Sequence, residues 1–411
     1  MKIKIRLKTK IENENVLLWA MFIPICALSV QLFLYKITGN MDGNAAIHQA
    51  AMVVSAIPMI CSMFIWARTH RGIRTSLTAY IIAGLAYALQ FAFYPENREY
   101  LQDYIFKLFF MCIPAFINSS LIKDKEKEEE VLKKASWIML AVGLVHALFV
   151  FWKKAFTGYT MSYGYYLILP ACFFSYSYFK NKKRGCLFSA ILAAALIMIL
   201  GSRGPLVAWA IYFTLLILFS QVSRIKKASI IVIISAVVAL KTYIINLLQN
   251  LLNVLGVHSR TLELLARGEI MNDTGRKPIL NMSIDMIREH VFEGNGIGAD
   301  MRVMGTYPHN IFVEVLLQYG IVFGSLLLLG LIFFIIKDFF RTDDKQLYLF
   351  YFCIGFVPTM VSGTYLQEMT FWIFVGYLAR EKQDNHVKEY HKSGNQEKQK
   401  DCYTGRQYEK V

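Results

Sequence analysis

Long apolar runs recur along almost the whole chain and constrain its fold more than any other feature. The 411 residues are 56% hydrophobic and 18% charged, whereas a typical soluble chain carries roughly 25% charged residues. Crossing a bilayer core of about 30 Å takes roughly 20 apolar residues in a helix. The sequence therefore predicts an all-α polytopic integral membrane protein with about 12 transmembrane helices. Their predicted bounds are 16–36, 45–66, 75–94, 104–122, 135–152, 161–179, 186–200, 204–220, 228–248, 311–336, 346–362 and 368–380.

Lysine and arginine are unevenly distributed between the two sides of these predicted helices. With the N-terminus in the cytoplasm, the inside segments before the C-terminal tail carry 23 of them, and the short outside loops carry 4. This asymmetry follows the positive-inside rule and predicts that both termini are cytoplasmic. Loop charges that set orientation and meet anionic lipid also account for the net charge of +15. We therefore expect these positively charged residues to contact the lipid bilayer, and we do not expect the protein to bind nucleic acid.

This topology divides the chain into a few segments. Residues 1–15 are predicted to form a basic cytoplasmic N-terminus, and residues 16–380 form the transmembrane domain. That domain contains one long exocytoplasmic loop, residues 249–310. Residues 381–411 are polar and have too few apolar side chains to pack, so we expect a disordered cytoplasmic tail. The seven cysteines fit no metal-ligand spacing, and neither a metal nor a disulfide framework is expected.

The stretch GSRG places Arg203 in a short outside turn between two predicted spans. Its glycines allow close backbone approach and positive φ, and Pro205 suits the first turn of the next helix. The arginine is thus held at a fixed place, and two interpretations stay open. It is either an interfacial anchor that snorkels to water, or a phosphate ligand, because a guanidinium donates two parallel hydrogen bonds.

The long outside loop contains a second candidate cation. Residues 276–291 follow a helical pattern that would lie against the membrane surface or over a cavity. One face of this pattern carries Leu280, Ile284, Ile287 and Val291. Arg276 stands at its start, where a positive charge opposes the helix dipole. Either a bound anion or pairing with Asp273 or Glu269 would account for it.

Glycines and a Pro-His-Asn sequence lead into the predicted span 311–336. The stretch GNGIG has no βαβ pattern around it, so it predicts a compact turn rather than a dinucleotide loop. Asn310 is placed to cap the following helix, and Glu314 lies one turn further in. His309 is either a base for chemistry near neutral pH at the mouth of an outer cavity, or an interfacial polar residue.

Together, the stretches GSRGPLVAW, TGR, and GNGIG followed by HN and QYGIVFG resemble the O-antigen ligase and polymerase superfamily, in particular Wzy-type polysaccharide polymerases. The resemblance covers roughly residues 160–336. It implies glycosyl transfer at the outer face of the bacterial cytoplasmic membrane, with no metal or other cofactor. The donor would be an oligosaccharide on a polyprenyl diphosphate, and the acceptor a hydroxyl of a second lipid-linked repeat unit. The product would be an O-antigen, a capsule or an exopolysaccharide.

The resemblance implies a cationic donor site. As the bond to phosphate breaks, negative charge develops on the diphosphate, and preplaced cations stabilise it. Arg203 and Arg276 are expected to do so, with Arg302 as a further cation. Ser202, beside Arg203, is a candidate substrate-binding residue.

The resemblance also implies a general base that deprotonates the acceptor hydroxyl. His309 is the candidate that takes the proton of the acceptor hydroxyl. Asn310 or Glu314 is expected to orient it and to take part in substrate binding.

Two other functions stay open. A ligase of the same superfamily would transfer a finished glycan to a different acceptor. A transporter or flippase also commonly has twelve spans with both ends inside, but its polar sites usually lie near the midplane, whereas the informative residues here cluster at one face. A partner that regulates chain length is expected from the resemblance alone.

Overall fold

The computed structural model describes residues 2–38, 45–153, 161–200, 203–220, 223, 240–254, 260–267 and 276–380. Within these ranges the chain is helical and has no strand, as predicted. Ser202, the predicted tail 381–411 and most of the predicted span 228–248 lie outside the described residues. The helices, numbered α1 to α17 in chain order, are Lys2–Thr38, Ala45–Ala67, His70–Phe93, Arg98–Lys107, Ile113–Leu121, Lys125–Lys153, Met161–Asn181, Arg184–Leu200, Arg203–Phe219, Lys241–Val254, Arg260–Ala266, Arg276–Glu289, Ala299–Met304, Ile311–Arg341, Lys345–Tyr351, Val357–Thr359 and Met369–Leu378.

Six helical segments are long and apolar enough to cross a membrane, and each coincides with a predicted span. They are Asn13–Thr38, Ala45–Ala67, His70–Phe93, Pro95–Leu121, Lys125–Val150 and Ile311–Arg341. Three more predicted spans fall on shorter apolar helices, α8, α9 and α17. A ten-residue helix such as α17 rises only about 15 Å, half of the bilayer core. The six long apolar segments indicate a polytopic helical membrane protein, but the predicted number of twelve spans is not confirmed.

Aromatic side chains fill the interior where α15 packs against α7, α9 and α17. Tyr348, Phe350 and Tyr351 of α15 and Phe374 of α17 are fully buried. In contrast, α3 and α14 leave many large apolar side chains exposed, as expected of helices that face lipid. The short α17 is thus enclosed by protein over much of its surface.

A buried ion pair ties α17 to α6 at one end of the bundle. Arg380 donates to both carboxylate oxygens of Glu128, at 2.6 and 2.9 Å. Its Nε also donates to the carbonyl oxygen of Ser119 at 2.8 Å, and the Tyr351 hydroxyl donates to Glu128 Oε1 at 2.5 Å. The Glu128 side chain is 0% exposed, so this end of the bundle is closed around a fully paired carboxylate.

At the opposite end, residues 290–298 form the compact glycine turn that the sequence predicts. The turn docks on the end of α3 and on the short 3-10 turn Pro95–Asn97. Asn97 Nδ2 donates to the carbonyl oxygen of Asn295 at 2.8 Å, and the backbone N–H of Ile297 donates to Gln90 Oε1 at 2.8 Å. Gly296 has φ of +77°, and a Cβ there would lie 2.4 Å from the ring of Tyr94. The glycine is therefore required at this position.

The long helix α14 breaks at Gly320, which has φ of +74° and ψ of 171°. The break leaves the carbonyl groups before it without their intrahelical donors. Backbone N–H groups of the glycine turn replace those donors: Asn295 bonds to Leu317 O at 2.8 Å, and Gly296 bonds to Gln318 O at 3.0 Å. The glycine turn and the break in α14 therefore form one unit.

Helix α12 begins at Arg276, as the sequence predicts, but its apolar residues are arranged differently. The face that packs on the protein carries Ser283, Met286 and Ile287. Leu280 and Ile284, predicted on the same face as Ile287, are 38% and 36% exposed. The apolar surface of α12 is thus divided between the protein and its surroundings.

Candidate active site

The turn that carries Arg203 packs tightly against two other elements. Arg203 is the first residue of α9 and is partly buried. A Cβ at Gly204 would lie 2.3 Å from the hydroxyl of Tyr165, near the start of α7, and 3.5 Å from Cγ2 of Val361. A larger residue at this position would require the Tyr165 side chain to move. The backbone of the Arg203 turn is therefore held against residues 360–368, which we call the 360–368 loop.

His309 has a left-handed backbone conformation, with φ of +58°. This conformation is rare for a residue with a Cβ, and it is retained mostly where the surrounding structure enforces it, commonly at functional sites. Its Nδ1 lies 3.4 Å from the carbonyl oxygen of Ser362 in the 360–368 loop. Because a carbonyl only accepts hydrogen bonds, this contact selects the tautomer with the proton on Nδ1. Nε2 then carries the lone pair.

The electrostatics around His309 favour its neutral form. Burial is the main cause that lowers the pKa of His309, and the positive charge of Arg276 lowers it further, against the opposing effect of the Ser362 carbonyl. The ring of Tyr307 packs edge-on against His309 with ring centroids 4.4 Å apart. Burial raises the pKa of Tyr307 to about 12, and the charges of Glu368 and Glu314 add to that rise. Arg276 acts on Tyr307 as well, so the start of α12 lies close to both rings.

Asn310 caps α14, as the sequence predicts. Its Oδ1 accepts from the backbone N–H groups of Phe312 at 2.9 Å and Val313 at 3.4 Å. The contact that orients His309 therefore comes from Ser362 and not from the Asn310 carboxamide. The capping bond instead fixes where α14 begins, immediately after His309.

Glu314 is fully buried beneath the site. Its carboxylate accepts hydrogen bonds from Thr364 of the 360–368 loop and from Gln318 Nε2 at 3.4 Å. Asp300 is also buried and interacts electrostatically with Glu314, and burial raises the pKa of Asp300 to about 6. This arrangement holds the 360–368 loop in place, rather than offering Glu314 to a ligand at the surface.

The remaining expected site residues stand apart from His309. Arg302 is exposed, and its Nε donates to Asn97 Oδ1 at 2.8 Å, beside α4. Ser202 lies outside the described residues. Among the residues that the structure describes, no group of three His, Cys, Asp or Glu side chains is placed to hold a metal ion. The structure thus gathers the Arg203 turn, Arg276 and His309 at one end of the bundle.

The sequence did not indicate the 360–368 loop as part of the site. The loop contributes the backbone carbonyl of Ser362, a methyl group of Val361 and the hydroxyl of Thr364. These residues do not belong to a recognisable sequence motif. One signal was available: Glu368 is a lone carboxylate directly before the last apolar segment.

Comparison with known proteins gives one match. Residues 188–329 match the family model described as O-antigen ligase. No curated protein and no solved structure matches the chain. The matched region begins in α8, ends in α14, and includes Arg203, Arg276 and His309. This part of the chain is therefore similar to the O-antigen ligase family.

Proposed function

We propose that the protein is a polysaccharide polymerase that joins oligosaccharide repeat units carried on a polyprenyl diphosphate. The reaction takes place at the outer face of the bacterial cytoplasmic membrane, with both termini of the chain in the cytoplasm. One observation carries the proposal: the 360–368 loop contacts both the Arg203 turn and His309. The same loop thus contacts two of the proposed site elements, and the charge of Arg276 acts on His309.

In the proposed reaction, His309 Nε2 takes the proton of the acceptor hydroxyl. The acceptor oxygen forms a bond to the anomeric carbon of the donor sugar, and the bond from that carbon to the diphosphate oxygen breaks. The leaving diphosphate carries the negative charge, which Arg203 and Arg276 stabilise. The proton then resides on His309 until it passes to water. The step needs no metal and no other cofactor.

The other expected site residues take supporting roles in this proposal. Ser202 and Arg302 are proposed to bind polar groups of the donor away from His309. Asn310 and Glu314 act indirectly, because the first caps α14 and the second holds Thr364 of the 360–368 loop. A chain-length regulator is the proposed protein partner.

A ligase is the second candidate function, because the matching family model carries that description. A deletion strain distinguishes the two. Loss of a polymerase leaves single repeat units on the final acceptor, whereas loss of a ligase leaves long chains on the carrier lipid.

A transporter is less well supported, although α14 is broken at Gly320 as transporter helices often are. In transporters the carbonyl groups freed by such a break bind ions. Here the carbonyl groups of Leu317 and Gln318 accept from Asn295 and Gly296. They are thus already occupied within the protein.

The test uses the purified protein in lipid nanodiscs with the lipid-linked repeat unit of its host. We expect elongation by the wild type, and a rate about 10²–10³-fold lower for Arg203→Lys and Arg276→Lys, the usual cost of removing one aligned donor to a developing anion. Arg288→Lys is the matched control, because Arg288 lies on the same helix as Arg276 but pairs with Asp285 at 3.2 Å. Wild-type elongation by Arg203→Lys at normal membrane levels would refute the proposal.

A further inference from the structure

Glu368 occupies the N-cap position of α17, but its side chain makes no capping hydrogen bond. The side chain instead folds over Gly363, where a Cβ would lie 2.6 Å from Glu368 Cγ and 3.0 Å from Oε1. This contact places the carboxylate against the middle of the 360–368 loop. Gly363 directly follows Ser362, whose carbonyl contacts His309.

The surroundings of Glu368 do not explain its charge. Burial raises the pKa of Glu368, and the positive charge of Lys107 opposes that rise. Lys107 Nζ donates its own hydrogen bond to Gln367 Oε1 at 3.0 Å. Glu368 is partly exposed at the end of the bundle where His309 lies, and its charge acts on Tyr307. It is therefore a carboxyl group near Tyr307, whose ring packs against His309.

A carboxylate in this place restricts what binds next to it. An ionised carboxylate repels another anion near a protein surface, so a diphosphate is disfavoured next to Glu368. A carboxylate does accept hydrogen bonds from hydroxyl groups, with up to four lone-pair positions. The charge pattern thus divides the site: Arg203 and Arg276 favour an anion, and Glu368 favours a neutral polyol.

We propose that Glu368 binds hydroxyl groups of the acceptor sugar beside His309 and determines which acceptor is used. The inference rests on the proposed function, and it assigns the acceptor subsite to the 360–368 loop. That loop lies outside residues 188–329, which match the family model.

The experiment uses the full-length protein in nanodiscs and two soluble probes. Inorganic pyrophosphate, as a competitive inhibitor, reports on the donor subsite. The repeat-unit glycan, freed from its carrier lipid by mild acid, serves as the acceptor at a fixed donor concentration. The variants are Glu368→Gln and Glu368→Asp. Glu293→Gln is the control, because Glu293 is an exposed carboxylate at the same end of the bundle.

We expect Glu368→Gln to raise KM for the glycan by about 10- to 100-fold, the range for loss of a hydrogen bond to a charged group. The value of kcat should stay within about threefold, and inhibition by pyrophosphate should not weaken, since a repelling charge is removed. Glu368→Asp should show a smaller rise in KM, because it keeps the charge, and Glu293→Gln should match the wild type.

Three results would overturn the assignment. An unchanged KM for the glycan in Glu368→Gln excludes a role in acceptor binding. A kcat about a thousandfold lower with an unchanged KM would make Glu368 the base instead. Equal losses of glycan binding and pyrophosphate inhibition would indicate a collapsed site. By contrast, a wild-type protein that neither transfers glycan nor binds pyrophosphate would refute the proposed function itself.

Discussion

Removing Arg380 should destabilise the protein far more than removing an exposed cation. Arg380 is paired with Glu128 at 2.6 and 2.9 Å, and the two side chains are only 12% and 0% exposed. Deleting one partner of such a buried pair leaves an uncompensated charge and typically costs about 3–5 kcal/mol. We expect Arg380→Met to lower the free energy of unfolding by that amount.

The double variant provides the internal test. In Glu128→Gln combined with Arg380→Met, the buried charge is gone, and the Gln amide oxygen can still accept from Tyr351. Replacing both charges of a buried pair is often neutral or stabilising, so the double variant should regain most of the lost stability. A double-mutant cycle then yields the coupling energy of the pair.

The control is an exposed ion pair on α6, the helix that also carries Glu128. Lys134 Nζ lies 2.7 Å from Glu130 Oε1, with side chains 57% and 61% exposed. Exposed ion pairs contribute little to stability, so Lys134→Met should unfold as the wild type does.

Unfolding is measured by SDS titration in dodecyl maltoside micelles, followed by tryptophan fluorescence. An Arg380→Met variant that loses less than about 1 kcal/mol contradicts the stated cost of an unpaired buried charge. A double variant no more stable than the single one would show that lost packing, and not the charge, is responsible.

Three further predictions concern the candidate site. The pKa of His309 is lowered below its ordinary value of 6.5, mainly by burial, so its neutral form should persist above that pH. We therefore expect kcat/KM to stay flat above pH 6.5 and to fall only below it. An acidic limb centred above pH 6.5 would contradict this. Gly204→Ala should abolish most elongation, because the new Cβ would lie 2.3 Å from the Tyr165 hydroxyl, and the Gly204→Ala, Tyr165→Phe double variant should regain part of it in the nanodisc assay. Asn310→Ala should cost about 1 kcal/mol of stability through loss of the α14 cap; an SDS titration curve that overlays the wild type would argue against the cap.

Local signals in the sequence were sufficient for most helices and for two details around the site. The apolar runs predict the helices, the Asn310 side chain predicts the start of α14, and the glycines predict the turn at 290–298. Each of these depends on a residue and its immediate neighbours, so periodicity and capping rules apply directly.

The parts that the sequence did not predict depend on distant contacts. The break at Gly320 is stabilised by Asn295 and Gly296, more than 20 residues away, and the orientation of His309 depends on the backbone of Ser362. Any residue type can offer a backbone carbonyl, so the sequence does not reveal such a contact. The side chain of Asn310 or Glu314 was therefore expected to orient His309. Enclosed apolar helices such as α17 resemble lipid-exposed ones in composition, so composition alone does not determine the number of spans.

The 360–368 loop has a practical consequence for engineering. Grafting residues 188–329 into another helical scaffold would transplant both arginines and the histidine, yet it would leave behind the carbonyl that selects the histidine tautomer. A unit that keeps this contact must extend at least through α17, after which Arg380 pairs with Glu128. Chimeras with similar proteins are therefore better joined after Arg380 than at the edge of the matched region.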